Sequence, residues 1–467
     1  MTARPGAIGL EPVDEAAPTR ALAKDLKQRH VTMISIGGII GAGLFVGSSS
    51  GIATIGPAVV VSYLLAGGVV LMVMRMLGEM AAAYPNMGAF TEFARLGLGH
   101  WAGFTAGWLY WYFWVVVVCV ETLAGAGLLH AWFPLPVWTW GLVLLALMMG
   151  TNLWSAKSYG EFEFWFASIK VVAIVLFIGV STLLFGLQSA PAAGRFANLY
   201  KLGGFAPFGP FSVLGGVTSV IFALTGAEIA TVAAAESAEP GKAVARMTSQ
   251  VVTRILLFYV LSILLIVTIT PWTSIRPGDS PFAVTLERLG IPFAPLIMNL
   301  IILTAVLSCL NSGLYVASRV LFTLAAHGDA PQALVKLNSR RAPARAILAA
   351  AGFGVIAMAI SVLSPQKLFA FLVDASGALM LIVYLFVALA QISLRRRMEA
   401  QSPEKLSVRM WAYPWASWAT VAAMVAILAA MALLPGSRSE FLASFTLLAV
   451  ALCVYWVFRR GRAAQPS

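Results

Sequence analysis

Four ionisable side chains interrupt stretches of the sequence that are otherwise apolar. They are Glu121 in "VVVVCVETLAGAGLL", Lys170 in "FWFASIKVVAIVLFIGV", Glu228 in "VIFALTGAEIATV" and Asp374 in "FLVDASGAL". A charged side chain at the centre of a membrane helix costs about 2.5–3.5 kcal/mol on insertion scales, so such residues usually face a cavity and have a function. Acids and an amine in one membrane cavity can carry protons or bind a charged solute.

Glycines interrupt two of the apolar stretches. The segment "SIGGIIGAGLFVGS", residues 35–48, carries five glycines, and Thr225-Gly226 precedes Glu228. Each glycine weakens a helix by about 1 kcal/mol relative to alanine, so we predict that both helices are unwound at these points. Two Gly-interrupted segments in corresponding halves of a chain indicate a transporter binding site. Close helix packing through small residues is the alternative explanation.

Unwound backbone in a membrane leaves N–H and C=O groups that can bind a solute. A helix N-terminus attracts anions, so the N–H groups at the first interruption would hold a carboxylate. Carbonyl groups near the two breaks would accept an ammonium group, and one zwitterion would satisfy both. The predicted substrate contacts are Ile39, Gly41, Ala42, Gly43, Glu121, Phe222, Ala223, Leu224, Thr225 and Gly226.

Each of the central ionisable residues has two explanations. Glu121 follows the aromatic stretch "WLYWYFW", and a carboxylate beside aromatic faces suits an amine. Lys170 lies eight residues beyond Phe162, about 12 Å along a helix, which places it deep in the bilayer. An ion pair with a neighbouring helix is the alternative for both residues. Glu228 would either carry a proton or cap the unwound backbone.

The elements that position these residues are membrane helices. The chain has 467 residues, of which 60% are hydrophobic and only 11% charged, too few for a soluble domain. Apolar runs of about 20 residues, the length of one span, recur along the chain without the short alternating segments of a β-barrel. We predict an all-α membrane protein with twelve helices, centred near residues 42, 67, 117, 146, 175, 224, 262, 307, 354, 381, 424 and 450.

The chain has a net charge of +12, and the distribution of its basic residues indicates the topology. With a cytoplasmic N-terminus, the most basic segments all lie inside, as the positive-inside rule requires, where they contact anionic lipid headgroups. We therefore predict cytoplasmic N- and C-termini, a lipid bilayer as the surroundings, no nucleic-acid partner and no cleaved signal peptide. These segments are "KDLKQRH", "RMTSQVVTR", "VKLNSRRAPAR", "LRRRMEAQSPEKLSVR" and "RRGR".

Several motifs resemble those of the amino acid transporter family within the amino acid–polyamine–organocation superfamily. The similarity covers residues 29–459, and "HVTM", "YGEFEFW", "AAAES", "FLVDASGAL" and "VRMWAYPW" are most similar to 4-aminobutyrate permeases. The resemblance implies proton-coupled import of an amino acid, 4-aminobutyrate above all, across the bacterial inner membrane without a cofactor. The motifs of the wider family are "RHVTMISIGGIIGAGLFVGS", "GPAVVVSYLLAG", "RMLGEM", "YGEFEFW" and "LNSGLYVASRVLF".

The same resemblance implies the leucine-transporter-like fold, a 5+5 inverted repeat followed by two further helices. The first and sixth spans are an odd number of spans apart, which agrees with halves of opposite direction. The predicted organisation is a polar cytoplasmic tail (1–28), a membrane domain (29–459) and a cytoplasmic tail (460–467). Within the membrane domain, repeat one covers about 31–187, repeat two about 210–394 and the extra helices about 411–459.

Roles for single residues also follow from the resemblance. Lys170 occupies the place where sodium-coupled relatives bind a cation, which implies proton coupling, and Glu228 is implied in proton response or gating. Phe222 matches a gating aromatic residue. Three methylenes separate the amine of 4-aminobutyrate from its carboxylate, so the amine needs a distant partner, for which we predict Glu121. Secondary candidates are Ser308 and Asn311, as polar partners of Lys170, and Asp374, as an outer gate or packing contact.

Other functions have less support in the sequence. Permeases for proline, aromatic or basic amino acids are the alternatives within the class. The four histidines and three cysteines lack metal-ligand spacing, and neither a Gly-x-Ser-x-Gly motif nor a Walker A motif is present, so we predict neither an enzyme, a metal site nor a primary pump. A channel would need a continuous polar lining or a ring of identical residues from an oligomer, and the sequence indicates neither. Arg75 and Glu79, at the inner end of the second span, are spaced for a simple ion pair, which is either structural or part of an inner gate.

Overall fold

The computed structural model describes residues 40–84, 90–187, 192–229, 255–434 and 437–463, together with Met33 and Met87. Across these residues the regular structure is helical, and the described part of the chain contains no strand. The all-α class predicted from composition is therefore confirmed. Backbone N–H and C=O groups in lipid must be satisfied within the segment, and a helix achieves this.

The described residues of the first half form eight α-helices. A π-helical turn, Gly43–Gly47, leads into the first of them, and 3₁₀ turns occupy Gly56–Ala58 and Ala197–Leu199. The helices are α1 (Ser48–Ile55), α2 (Val59–Ala83), α3 (Phe90–Leu98), α4 (His100–Trp132), α5 (Val137–Trp154), α6 (Ala156–Leu187), α7 (Ala192–Arg195) and α8 (Phe211–Leu224).

The described residues of the second half form seven more α-helices, preceded by a π-helical segment, Ile255–Leu261. Short 3₁₀ turns occupy Trp272–Ser274, Gln332–Val335 and Pro403–Lys405. The helices are α9 (Ser262–Ile269), α10 (Pro281–Arg288), α11 (Ala294–Ala326), α12 (Ala344–Ser361), α13 (Pro365–Gln401), α14 (Trp415–Leu433) and α15 (Arg438–Ala463).

Nine helical segments in the described part of the chain are long and apolar enough to cross a membrane. A shorter apolar helix, Leu257–Ile269, adds to them. This repeated pattern makes the chain a multi-pass membrane protein. The nine are Gly43–Ala83, His100–Trp132, Val137–Trp154, Lys157–Leu187, Ala294–Ala326, Ala344–Ser361, Lys367–Gln401, Trp415–Leu433 and Arg438–Val457.

The helices differ in how much surface they bury. Most of α4, α11 and α13 is enclosed by other helices, whereas α6 and α15 leave most of their surface uncovered. The uncovered side of α6 is apolar, as lipid requires, and includes Trp165, Val172 and Leu176. Its buried face carries Glu163 and Lys170 at helical spacing. The charged groups of Glu163 and Lys170 therefore face the protein interior.

Non-helical backbone is observed at both predicted interruptions. The chain is non-helical at Ile40 and Gly41 and helical from Ala42 onward. Helix α8 ends at Leu224, and Thr225 is extended with φ −66° and ψ 145°. Gly226 has φ 118°, a conformation that residues with a Cβ rarely adopt. Five residues of the first glycine-rich segment, 35–39, lie outside the described residues.

The predicted ion pair between Arg75 and Glu79 is wrong. The partly buried Arg75 guanidinium donates to the Arg409 carbonyl oxygen at 2.9 Å from Nε and 2.6 Å from Nη2. Glu79 is fully buried and faces α13, where Arg395 Nη1 donates to it at 2.6 Å and Gln391 Nε2 at 2.7 Å. Helical spacing places the two residues on one side of α2, but Arg75 bonds the Arg409 carbonyl and Glu79 bonds Arg395 instead.

Removing the charge of Glu79 will destabilise the protein. In Glu79→Gln, Arg395 loses its buried counter-charge, and breaking a buried pair costs about 3–5 kcal/mol. The matched control is Glu399→Gln, because Glu399 binds the same arginine at 2.8 Å but is 46% exposed, and exposed pairs contribute about 0–1 kcal/mol. Thermal unfolding of the purified protein in detergent measures both variants. Equal losses of stability would contradict the assignment.

Candidate functional site

The two interrupted segments meet at one cavity. Six predicted substrate residues line it, and the space open to the centre of a water molecule is about 10 Å³, close to what one water needs. An amino acid therefore enters this site only if the walls move apart. The six residues are Gly41, Gly43, Glu121, Phe222, Ala223 and Thr225.

The other predicted substrate residues lie at the edges of this cavity or beyond the described residues. The Ala42 N–H donates to Glu121. Leu224 is buried as the last residue of α8, and the Gly226 N–H donates to Glu228. Ile39 lies outside the described part of the chain. The structure thus brings the two breaks together around a shared space.

Four further residues line the cavity: Phe113, Trp114, Val117 and Cys309. Phe113 and Trp114 belong to the aromatic stretch predicted beside Glu121, although neither was singled out there, whereas Val117 and Cys309 were not predicted. Phe113 and Val117 precede Glu121 by eight and four residues, so all three lie on one face of α4. That spacing could have identified them. Phe113 also contacts the predicted gate Phe222, with ring centroids 6.2 Å apart. No local signal in the sequence points to Cys309 on α11.

Glu121 lies against the first interruption. Its Oε1 and Oε2 accept from the Ala42 N–H at 3.1 and 3.2 Å. A Cβ at Gly41 would stand 2.4 Å from Oε1, so the carboxylate rests directly on the glycine backbone. In this arrangement the Glu121 carboxylate accepts the hydrogen bond of the Ala42 N–H, one of the backbone amides predicted to bind the substrate carboxylate.

Lys170 links the first interruption to α11. Its Nζ donates to the Ile40 carbonyl oxygen at 2.8 Å and to Ser308 Oγ at 2.8 Å. Ser308 Oγ in turn donates to Glu163 Oε1 at 2.6 Å, and Lys170 Nζ lies 4.0 Å from the same oxygen. The predicted contact with Ser308 is present. Glu163 was missed, although it lies two helical turns before Lys170 on the same face.

The remaining secondary candidates lie away from Lys170. Asn311 Oδ1 accepts from Thr151 Oγ1 and from Asn152 Nδ2, each at 2.8 Å, so this amide ties α11 to α5. Asp374 lies within α13, and its side chain is outside the described residues. Of the two predicted polar partners on α11, only Ser308 bonds Lys170 directly.

Glu228 is fully buried beside the second interruption. Its Oε2 accepts from the Gly226 N–H at 3.1 Å and from the Tyr384 hydroxyl at 3.0 Å, while the Tyr110 hydroxyl donates to Oε1 at 3.3 Å. The carboxylate therefore caps the unwound backbone and joins it to α4 and α13. Sequence reasoning missed both tyrosines, because they lie on helices far from Glu228 in the chain.

A multi-pass helical protein with two interrupted segments around a buried cavity has the architecture of a transporter. The profile of the amino acid permease family matches residues 30–465. The chain belongs to the amino acid permease family, as its motifs predicted, and it is a transporter rather than an enzyme.

Three bacterial permeases are similar to this chain over nearly its whole length. The gamma-aminobutyric acid permease of Bacillus subtilis is 46% identical over 448 residues, covering 96% of each chain. The probable GABA permease of Pseudomonas aeruginosa is 46% identical over 440 residues, or 93% of this chain and 92% of the relative. The gamma-aminobutyric acid permease of Escherichia coli is 42% identical over 453 residues, or 96% and 97%.

Proposed function

We propose that this protein imports 4-aminobutyrate (gamma-aminobutyric acid) by proton-coupled alternating access across the bacterial inner membrane. The observation that carries the proposal is the cavity between the two interrupted segments, where backbone amides, a carboxylate and aromatic rings converge. The names of the three similar permeases support 4-aminobutyrate as the substrate. Permeation of proline, an aromatic or a basic amino acid is the alternative within the family.

The proposed topology has twelve spans, with both termini in the cytoplasm. Nine described segments are long enough to cross, and one of them, Gly43–Ala83, contains the break at Gly56–Ala58 that divides two spans. The shorter apolar helices Phe211–Leu224 and Leu257–Ile269 supply the remaining two. The two interruptions, near residues 41 and 225, would then occupy matching positions in the inverted repeats about 31–187 and 210–394, ahead of the extra helices.

Substrate binding would begin with an exchange of carboxylates. The Ala42 N–H that now bonds Glu121 would instead bond the substrate carboxylate, together with the N–H groups of Gly41 and Gly43. The released Glu121 would then pair with the distant amine of 4-aminobutyrate, which also lies within reach of the ring of Trp114. Phe222 would close over the occupied site.

Proton coupling would act on the same broken backbone. The Lys170 ammonium bonds the Ile40 carbonyl oxygen, so its charge holds the first interruption against α11. Glu228 holds the second interruption in the corresponding way through Gly226. A change in the protonation of either group alters the hold on one wall of the cavity, and this links proton movement to alternating access.

Transport by the purified protein in proteoliposomes tests the function. With an acidic outside medium, labelled 4-aminobutyrate is expected to accumulate without sodium, and a protonophore is expected to abolish the accumulation. Competition by unlabelled proline, phenylalanine and lysine measures specificity. Better competition by one of these would move the substrate assignment to that amino acid, and accumulation that needs sodium but no pH gradient would overturn proton coupling.

Glu121→Gln will reduce recognition of the substrate amine. Loss of one charge-assisted hydrogen bond, about 1.5–3 kcal/mol, weakens binding about tenfold or more. The informative measurement compares 4-aminobutyrate with butyrate, which lacks the amine, as competitors of labelled substrate. The wild type will prefer 4-aminobutyrate, and the variant will lose most of that preference. An unchanged preference would show that Glu121 does not bind the amine.

A further inference from the structure

Helix α6 carries an unusual inner face. Tyr159, Glu163 and Lys170 follow one another at helical spacing and are fully buried, although most of the helix surface is uncovered and apolar. Ionisable groups at membrane depth are costly to bury. Two ionisable groups and a phenol on the buried face of one helix indicate a common function.

The opposite wall, on α11, supplies hydroxyl groups at matching positions. Ser308 Oγ lies between the charged groups, 2.8 Å from Lys170 Nζ and 2.6 Å from Glu163 Oε1. One turn further along α11, Ser312 Oγ lies 3.2 Å from the Tyr159 hydroxyl. Buried polar groups of the two helices thus face one another from Lys170 towards the start of α6.

The row of buried polar side chains continues along α11. The ring of Tyr159 stacks on Tyr315 with centroids 3.9 Å apart and planes 7° apart. The Arg319 guanidinium lies 4.0 Å from the centre of the Tyr315 ring and is itself buried. Residues 308, 312, 315 and 319 are spaced by three or four, so they share one face of α11. In the proposed topology this face leads to the cytoplasm.

An ion pair with a purely structural role explains the positions of Lys170 and Glu163 less well than proton transfer does. Lys170 bonds Ser308 at 2.8 Å but stays 4.0 Å from Glu163, so a hydroxyl separates the two charges. Among the described residues, Glu163 Oε2 has no hydrogen-bond partner. An unsatisfied buried acceptor costs about 1–3 kcal/mol, whereas a carboxyl group that binds and releases protons needs an oxygen that is open to them.

We propose that Glu163 receives the transported proton from Lys170 through Ser308 and passes it towards the cytoplasm. An N–H bond of the Lys170 ammonium breaks as its proton moves to Ser308 Oγ, and the Ser308 hydroxyl proton moves to Glu163 Oε1. Lys170 becomes a neutral amine and Glu163 a neutral acid, while Ser308 is regenerated. Glu163 then releases the proton along the side lined by Ser312. This inference rests on the proposed proton coupling at Lys170.

The transfer would also loosen the first interruption. A neutral amine donates a weaker hydrogen bond than an ammonium group, so the hold of Lys170 on the Ile40 carbonyl oxygen would weaken once the proton has left. The weakened hold would favour return of the empty carrier, whereas the loaded carrier reorients while Lys170 is still protonated. Return of a proton to Lys170 would restore the bond and reset the carrier.

Two activities of Glu163→Gln in proteoliposomes separate proton release from substrate movement. Exchange of labelled for unlabelled 4-aminobutyrate at equal pH needs only reorientation of the loaded carrier, so it is expected to stay close to wild type. Accumulation driven by a pH gradient needs proton release and is expected to fall about tenfold or more. The control is Glu161→Gln on the same helix, which is expected to retain both activities.

Each outcome decides the proposal. Loss of exchange together with accumulation in a folded Glu163→Gln protein would overturn it, and so would retention of both. If that variant does not fold, Ser308→Ala takes its place and must show the same separation of the two activities. If accumulation by the wild-type protein does not depend on the pH gradient, the proposed proton coupling itself is refuted, before any variant is examined.

Discussion

Lys170→Ala will lower gradient-driven accumulation of 4-aminobutyrate by about 100-fold or more, since breaking a buried charge pair costs about 3–5 kcal/mol. The variant loses the bonds from Nζ to the Ile40 carbonyl oxygen and to Ser308, and it leaves Glu163 buried without its cation. The hydrogen bonds through which Nζ joins the first interruption to α11 are then absent. We therefore expect exchange of substrate to fail as well, in contrast to Glu163→Gln.

The measurement is uptake into proteoliposomes with an acidic outside medium, at matched protein content. Lys157→Ala is the control, because Lys157 lies on the same helix but is exposed. Lys170→Met, which keeps most of the length of the unbranched side chain, separates loss of charge from loss of packing. A Lys170→Ala protein that still concentrates substrate would exclude this lysine from the coupling mechanism.

Gly41→Ala will reduce transport by a similar factor, about 100-fold, because overpacking of this kind costs about 1–3 kcal/mol or more and here it also fills the binding cavity. The added Cβ would lie 2.4 Å from Glu121 Oε1 and 2.9 Å from Cys309 Cβ and Sγ. The carboxylate can move, but Cys309 Cβ is held by the backbone of α11. The first interruption must therefore shift and close a cavity of only about 10 Å³.

Gly47→Ala provides the matched control in the same segment. Among the described residues, the atom nearest to a Cβ at Gly47 would be the Ala42 carbonyl oxygen, 3.7 Å away, which is an ordinary contact. Initial rates of labelled 4-aminobutyrate uptake and thermal unfolding in detergent should be compared for both variants. Similar rates for Gly41→Ala and Gly47→Ala would mean that close approach at Gly41 is not needed for transport.

The broken helices were predictable because their causes are local. Thr225-Gly226 ends α8 through the conformation of those two residues, and the glycines near Gly41 weaken the first segment where the chain is non-helical. The inward direction of Lys170 was also predictable, because a lone amine in an apolar helix cannot face lipid. Each of these conclusions needs only the residues within one helix.

The partners of the charged groups were not predictable in the same way. Spacing favoured an Arg75–Glu79 pair, yet Arg75 bonds Arg409 and Glu79 bonds Arg395. Glu163 could have been found from its position on α6, but its connection to Lys170 runs through a hydroxyl of another helix. Helix rotation and packing decide such contacts, and neither is encoded in the spacing within one segment.

The sequence by itself determined a multi-pass helical permease with two interrupted segments, since apolar length, glycine position and buried charge act within single helices. Only the tertiary structure decided that Glu121 bonds the Ala42 amide, 79 residues away, and that Lys170 bonds Ser308, 138 residues away. These contacts join different helices, so they depend on which faces meet when the bundle packs. The site is thus assembled by packing from residues that the sequence had already marked as costly to bury.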